Sequence, residues 1–381
     1  MSVPYEDRKR LAALWEAEVA AFSAAHPKSE ALWRDALPHM PDGVPMLWMA
    51  KWPGPWPVYV ETAAGSHFVD VDGIDHVDLC LGDTGAMCGH APPASVRAIS
   101  HQLARGATTM LPTADAAAAA ALLEERFGVP SWQFSLSATD ANRSLIRFAR
   151  QVTKRPKILV IDYCYHGTVD EAYATLDENG AVVERRGNIG APVDPSVTTA
   201  VVPFNDIRAF EAALESREVA AVLIEPAMTN IGIVLPEPGW HDAVRAACTR
   251  TGTLLILDET HTLSAGWGGM ITRDGLDPDA VVVGKAIGGG IPAGAYGMTA
   301  SFAALLRASL DLEDIDVGGV GGTLAGNAVS LAGIRATLSE VLTADAFERM
   351  VALCTEWTAG VQAALDEFGV PWQVTQLGAR A

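Results

Sequence analysis

The stretch LLILDETHTLSAGWGGMITRDGLDPDAVVVGKAIGGGIPAGAYGM, from Leu254 to Met298, decides how this chain is read. It opens on a short apolar run, Leu254 to Leu257, that ends on Asp258. A second run, Ala280 to Val283, ends on Gly284 and Lys285, and a glycine-rich loop follows. Apolar runs this short, bounded by acidic residues, Gly and Pro, suit buried strands of a parallel sheet. In such sheets ligands gather beyond the carboxyl ends of the strands. The stretch therefore delivers an acid and a lysine to the same edge of one sheet.

Around it, short apolar runs alternate with helical ones. Strands are expected at Trp132–Ser137, Lys157–Asp162, Ala200–Pro203, Val219–Glu225, Thr253–Asp258, Ala280–Gly284 and Ala295–Thr299. Helices are expected at Asp140–Val152, Ile207–Leu214, Trp240–Arg250 and Ala325–Leu342. An alanine-rich helix from Thr113 to Phe127 has Thr113 as its cap and closes on Gly128 and Pro130. This alternation indicates a doubly wound α/β layer with a mostly parallel, seven-stranded sheet flanked by helices.

Towards the N-terminus, Leu11, Leu14, Trp15, Val19 and Phe22 recur at helical spacing over residues 5–25. Met40 to Val60 is too rich in Pro and Gly for a long helix. Its Trp48, Trp52 and Trp56 either pack the loop against the body or line a ligand pocket. Gly65 to Gly82 reads as a hairpin turning at Asp72–Gly73. At the other end, Asp345–Phe368 reads as an amphipathic helix and Trp372–Thr375 as the start of a strand. The expected domains are 1–75, a helix and hairpin segment; 76–328, the large α/β domain; and 329–381, the start of a small lobe whose remainder is expected beyond Ala381.

A chain of 381 residues exceeds what a single core supports, which agrees with a large domain plus a smaller lobe. Hydrophobic residues at 49% and charged ones at 19% give a globular composition. A net charge of −19 argues against nucleic acid or anionic membranes as partners. It leaves room for an anionic ligand, since backbone N–H groups hold phosphate within acidic proteins. Cys80, Cys88, Cys164, Cys248 and Cys354 show neither CxxC spacing nor a disulfide framework, and read as reduced thiols, mostly in the core. No metal site is expected. With no apolar leader and no run of membrane-spanning length, the expectation is a soluble, cytoplasmic protein.

An aspartate and a lysine on one sheet edge are what a pyridoxal phosphate enzyme needs. Lysine forms the imine with the aldehyde, and aspartate holds the ring nitrogen protonated. Other segments bring further groups to strand ends. Ser137-Ala138-Thr139 lies where a strand gives way to a helix; alone it is an N-cap, and beside Asp258 and Lys285 it is a phosphate cup. Tyr165-His166-Gly167 places a ring that either stacks on a planar cofactor or fills the core. Glu225-Pro226 offers a carboxylate or a turn, and Gly321-Gly322-Thr323 a phosphate contact or a capped loop.

Taken together, these segments resemble the class III aminotransferases of pyridoxal phosphate fold type I, nearest the glutamate-1-semialdehyde aminomutase branch. The matching pieces, in the family's order, are Gly89-His90 with Pro92-Pro93, Ser137 to Ala141, Tyr165-His166-Gly167, and Glu225-Pro226 with Asn230 and Gly232. They continue through Leu257-Asp258-Glu259, Gly284-Lys285 before Gly288-Gly289-Gly290, and Gly322-Thr323 with Gly326-Asn327. The resemblance implies that Lys285 is the imine lysine and proton shuttle, and that Asp258 pairs with the ring nitrogen. It implies that Ser137, Ala138 and Thr139 cradle the phosphate, Tyr165 stacks on the ring and Glu225 faces the cofactor. Thr323 reaches the neighbouring subunit's site, so a homodimer is implied.

The departures from the family pattern are specific. Ala138-Thr139-Asp140 stands for the usual Gly-Thr-Glu, and Thr260 for the valine that packs against the ring. His261 follows, a candidate substrate-side group or a structural histidine. Pro45–Ala50 lacks the arginine that grips the substrate carboxylate in the aminomutase branch; Lys51 is the nearest cation and cannot form the same bidentate fork. Trp48, Lys51 and Trp52 suggest a substrate with an apolar or aromatic group, held in a different way. The leading expectation is an aminotransferase that carries an amino group from a donor to a 2-oxo acid through Lys285. The alternative is an isomerase on the same cofactor, an aminomutase or epimerase. A nucleotide-binding α/β protein without this cofactor is disfavoured, because no GxGxxG or GxxxxGK[ST] pattern is present.

Overall fold

The computed structural model describes residues 5–190, 193–309 and 318–381. It divides into two units, Met1–Leu81 with Gly89–Ala91, and Gly82–Cys88 with Pro92–Ala381. In the smaller unit, helices α1 (Tyr5–Ala25) and α2 (Pro27–Ala36) precede two short 3-10 turns, Pro41–Gly43 and Leu47–Lys51. An antiparallel sheet follows, of β1 (Val60–Ala64), β2 (His67–Asp70) and β3 (Asp75–Val77). The hairpin at Asp72–Gly73 is present, and β1 adds a third strand that the residue pattern did not predict. Gly73, at φ 90°, supplies the left-handed backbone of the turn. Buried Asp70 pins that turn. Its Oδ1 accepts the Asp72 and Ile74 N–H groups at 3.0 and 2.9 Å, and its Oδ2 takes His76 Nε2 at 2.8 Å.

The packing expectation for the tryptophan loop holds at Trp56, which tilts against Phe22 at 5.8 Å and stacks on Trp33 at 6.4 Å. It fails at Trp48 and Trp52, which are 48% and 49% exposed and meet edge-on at 4.9 Å. The 3-10 turn that carries Trp48 buries none of its own residues. Leu11, Leu14 and Trp15 of α1 are exposed as well.

The larger unit is built on seven strands: β4 (Ser131–Ser135), β5 (Lys157–Ile161), β8 (Thr199–Val202), β9 (Val219–Ile224), β10 (Leu254–Asp258), β11 (Ala280–Gly284) and β12 (Gly294–Met298). Between β5 and β8 runs a small antiparallel pair, β6 (Ala174–Leu176) and β7 (Val182–Glu184). All seven expected strands are present, with ends shifted by no more than about two residues. Their spatial order is β4-β12-β11-β10-β9-β5-β8, and only β12 runs against its neighbours. Every residue of β9 and β11 is buried, so both faces of the sheet are covered.

Helix α5 (Ala138–Thr153) contacts β4, β9, β10, β11 and β12, while α6 (Ile207–Glu215) and α7 (Trp240–Thr251) pack on each other and on β8 and β10. Helices α3 (Pro93–Leu103), α8 (Gly269–Asp274) and α9 (Ala300–Ser309) join the expected α4 (Ala114–Phe127). Gly128 closes α4 in the left-handed conformation, but the Thr113 hydroxyl caps nothing. Helix α10 (Ala328–Ala336) begins later than expected, because the Asn327 side chain caps it by accepting from Val329 and Ser330 N–H. It widens into a π-turn over Thr337–Val341. Buried Arg126 serves that turn, donating to the carbonyls of Leu338, Leu342 and Trp267 at 2.6–2.7 Å.

Helix α11 (Ala344–Glu367) matches the expected tail helix. The strand expected at Trp372–Thr375 does not form. Its polar backbone is met by one side chain, Gln362, which accepts from Val374 N–H and donates to the Trp372 carbonyl. Of the five free cysteines, Cys164 and Cys248 are buried, so fewer lie in the core than expected. No helix among the described residues is long and apolar enough to cross a membrane.

Candidate active site

Adjacent parallel strands β10 and β11 pair in register, Asp258 opposite Val282, so Asp258 and Lys285 emerge at one edge of the sheet. The ends of β4, β5 and β9 bring Ala138, Tyr165 and Glu225 to the same edge. One pocket of about 240 Å³ is lined by Ser137, Ala138, Thr139, Tyr165, Glu225 and Asp258, together with Thr260, His261 and Lys285. The expected site residues thus converge, with three exceptions. Thr323 is exposed and lines surface pockets with Gly322 and Ala325. Trp48 and Lys51 belong to the smaller unit, where both are exposed.

Asp258 is 3% exposed, yet ionised. Burial pushes its carboxyl up, but donors outweigh that and hold it at about 2. Oδ2 accepts from His166 Nδ1 and Asn142 Nδ2, each at 2.9 Å, and Oδ1 from the Thr260 N–H at 3.0 Å. Burial works against the His166 cation, but Cys164 and Asp258 beside it raise its pKa well above 6.5. Glu259, the next residue, turns away and accepts from the Met270 and Ile271 N–H groups at the start of α8.

The residues 137–139 lie at the start of α5. Ser137 spends its hydroxyl on the cap, donating to Asp140 Oδ2 at 2.8 Å while accepting from the Asp140 N–H at 3.2 Å. The expected N-cap is therefore real, and the N–H groups of Ala138 and Thr139, in the first turn, have no intrahelical partner. Backbone closes tightly around them. A Cβ on Gly167 would sit 1.9 Å from Thr139 Oγ1, and one on Gly294 would sit 2.4 Å from Ser137 C and O. Such a glycine-walled cradle at a helix N-terminus suits a phosphate.

Lys285 has a left-handed backbone, φ 50°, an uncommon conformation for a residue with a Cβ. Its Nζ donates to Asp83 Oδ2 at 2.7 Å and touches His261 Nε2. His261 continues the network, with Nδ1 at 2.6 Å from Arg380 Nη1 and 2.9 Å from Thr229 Oγ1. Thr229 Oγ1 in turn meets Glu225 Oε2. Burial, then the Lys285 cation, lowers His261 to about 4, and burial raises Glu225 to about 7. The second Glu225 oxygen is buried without a partner.

Sequence reasoning placed Lys285, Asp258 and the cradle, and held His261 open. It did not single out Asp83, Asn142, Thr229 or Arg380, nor give His166 a role. His166 alone carried a signal, as part of Tyr165-His166-Gly167. Asn142, Arg380 and Asp83 meet the site across 116 to 202 residues of chain, and no local pattern marks them; Thr229 lies 32 residues from His261.

The donor set fits pyridoxal phosphate. A buried carboxylate held ionised suits a protonated ring nitrogen, the cradle suits a phosphate, and a lysine nitrogen stands in the same pocket. Fold and site together define a pyridoxal phosphate-dependent enzyme of fold type I. The chain belongs to the class-III aminotransferases, whose family model matches residues 48–379.

A glutamate-1-semialdehyde 2,1-aminomutase of Anaeromyxobacter dehalogenans is 35% identical over 334 residues, 85% of this chain and 75% of that protein. A crystal structure of a glutamate-1-semialdehyde-aminomutase from Pseudomonas aeruginosa superposes with a TM-score of 0.94 at 44% identity, covering 97% of this chain and 83% of that one. A variant of that protein was solved in complex with PMP. An omega-transaminase from Sphaerobacter thermophilus superposes with a TM-score of 0.84 at 33% identity, covering 92% and 81%.

Proposed function

We propose that the chain is an aminomutase of the glutamate-1-semialdehyde type, moving an amino group between carbons of one substrate. The observation that carries this reading is the Lys285 nitrogen, held between Asp83 and His261 in the pocket that also contains Asp258. The choice of aminomutase rests on the relatives with that name at 35% and 44% identity. This reverses the order expected from the residues alone, where the aminotransferase led.

Pyridoxal phosphate supplies an aldehyde that links reversibly to amines and a ring that draws electrons from the attached carbon. The residues that would hold it are Ser137, Ala138 and Thr139 at the phosphate, Asp258 at the ring nitrogen, and Tyr165 and Glu225 along the ring. Lys285 is the attachment point, and its Nζ holds and returns the proton that moves at the substrate carbon. Asp83 orients that nitrogen. Arg380, which makes no ion pair among the described residues, is a fixed cation for a substrate carboxylate.

On this reading 76–328 is the cofactor-binding domain, 329–381 belongs to a smaller one, and the enzyme is a cytoplasmic homodimer in which Thr323 serves the neighbouring site. Met110 and Leu111, 76% and 73% exposed beside Thr323, are apolar surface of the kind that a second copy covers.

A transfer between separate molecules is the second reading. It is favoured by the missing arginine in Pro45–Ala50 and by the transaminase of known structure at 33% identity. The two separate on the substrate requirement. The holoenzyme is expected to convert glutamate-1-semialdehyde alone, at a rate indifferent to added oxo acid. Turnover that demands a separate amino acceptor overturns the aminomutase in favour of the transferase.

A further inference from the structure

We propose that His26, Asp70 and His76 form a binding site for a divalent transition ion of the zinc class, which clamps the junction of α1 and α2 to the β2–β3 hairpin. The site lies wholly within the smaller unit and is independent of the chemistry at Lys285.

The three side chains come from different elements. His26 stands between α1 and α2, Asp70 ends β2, and His76 is the middle residue of β3. One nitrogen of each ring and one Asp70 oxygen lie within 4.8 Å of one another. The decisive side chain is His26. It is 7% exposed, and its Nδ1 lies 2.9 Å from the Phe22 carbonyl, which can only accept. Nδ1 is therefore protonated, and in the neutral ring Nε2 presents a bare lone pair. That Nε2 is buried, has no hydrogen-bond partner among the described residues, and stands 3.4 Å from Asp70 Oδ2. A lone pair and a carboxylate oxygen thus face each other in a buried place, which is unfavourable unless a cation lies between them. The spacing suits a metal, since two ligands about 2.1 Å from a tetrahedral zinc stand about 3.4 Å apart.

The ligands are already held as coordination needs them. A ring N–H donated to a backbone carbonyl, as His26 donates to Phe22, is the contact that commonly orients a ligating imidazole. Asp70 Oδ1 is taken by the Asp72 and Ile74 N–H groups, which leaves Oδ2 for the ion. Phe22 stacks on His26 at 4.2 Å and Phe68 on His76 at 4.6 Å, so neither ring turns freely. In the metal-free chain His76 Nε2 donates to Asp70 Oδ2 at 2.8 Å. On binding, His76 gives up that proton and takes one on Nδ1, so the metal replaces a proton between ring and carboxylate and no electrons move. Two imidazoles and one carboxylate suit zinc and its neighbours better than calcium or magnesium. The unit also has little else to hold it: Val44 is the one hydrophobic side chain buried among its described residues. Small folded units without an apolar core gain stability from a metal, whose binding free energy adds to folding.

The test is equilibrium dialysis of zinc against the full chain at pH 7, after metal removal with EDTA. The wild type is expected to bind about one zinc per chain at micromolar free metal. His26→Asn keeps a donor for the Phe22 carbonyl and removes Nε2, while His76→Gln keeps a donor for Asp70 Oδ2 and removes the ring nitrogen. Each is expected to weaken zinc about a hundredfold. His67→Ala, at an exposed histidine paired with Asp75, is expected to bind as the wild type does. Bound zinc is also expected to slow proteolytic cleavage within residues 5–81 about tenfold in the wild type, and not in His26→Asn. A wild-type chain that takes up no zinc overturns the site and leaves His26 a second proton donor to Asp70. Uptake unchanged in His26→Asn or His76→Gln, or lost in His67→Ala, assigns the metal to other groups and overturns the site equally. Uptake without slower cleavage overturns the clamp.

Discussion

Replacing Asp258 by Asn keeps the shape of the side chain and removes the buried charge, so the consequence can be worked from its surroundings. The carboxyl is held at about 2, against an ordinary 3.8, by His166, Thr260 and Asn142. That depression corresponds to about 2 kcal/mol of native stability at neutral pH. Because the pKa is depressed, this contribution is full above 3.8 and is lost as pH falls through the folded value. The His166 cation shares the same attraction, so its raised pKa is not a second contribution to add. Spread over the roughly 300 residues of the larger unit, an unfolding entropy of about 2.1 cal/mol/K per residue turns about 2 kcal/mol into a drop of about 3 °C.

The assay is thermal unfolding of the cofactor-free wild type and Asp258→Asn at pH 7, repeated down to pH 3. The gap is expected to be widest at pH 7 and to narrow below about pH 4. Histidine resonances provide the second readout: His166 loses its anionic partner, and its pKa falls in the variant. Equal melting temperatures at pH 7, with His166 unmoved, would falsify the claim that this carboxylate is ionised and paired.

Two further perturbations address the frame around the site. Gly167→Ala puts a Cβ 1.9 Å from Thr139 Oγ1 at φ +74°, and overpacking of about 1–3 kcal/mol should weaken cofactor retention about tenfold or more in equilibrium dialysis. Undiminished retention would show that the cradle yields. Arg126→Met strands three carbonyls, two of them at the π-turn, at a cost of about 3–5 kcal/mol, and melting within about 1 °C of the wild type would refute that.

The sheet was legible because each of its strands is a short apolar run with punctuation at both ends; β9 and β11 are buried throughout and read as unbroken hydrophobic stretches. Their spatial order was not legible, since strand neighbours are chosen by long-range packing. The same division runs through the site. Asp258, Lys285 and residues 137–139 stand at strand ends, where position follows from local pattern. Arg380 and Asp83 reach His261 and Lys285 across 119 and 202 residues, respectively, and only the fold brings them there. Trp48 and Trp52 show the limit of composition: large aromatics are usually buried, yet these two sit on or just after a turn with no buried residue.

The charges of the pocket narrow the substrate on the proposed reading. Asp258 is matched by His166, and Lys285 by Asp83. His261, lowered to about 4, is neutral at physiological pH, and Glu225, raised to about 7, is partly so. That neutrality is what lets Arg380 and Lys285 both lie against one imidazole without three cations in contact. Among the described residues of the network, the Arg380 charge is the one left unpaired, in a chain whose net charge is −19. A carboxylate on the substrate supplies the missing partner, whereas a plain amine leaves the guanidinium unpaired beside the pocket. Arg380→Met should therefore raise KM for a carboxylate-bearing substrate more than it lowers kcat, and should leave a carboxylate-free amine unaffected. An equal loss on both would remove Arg380 from substrate recognition.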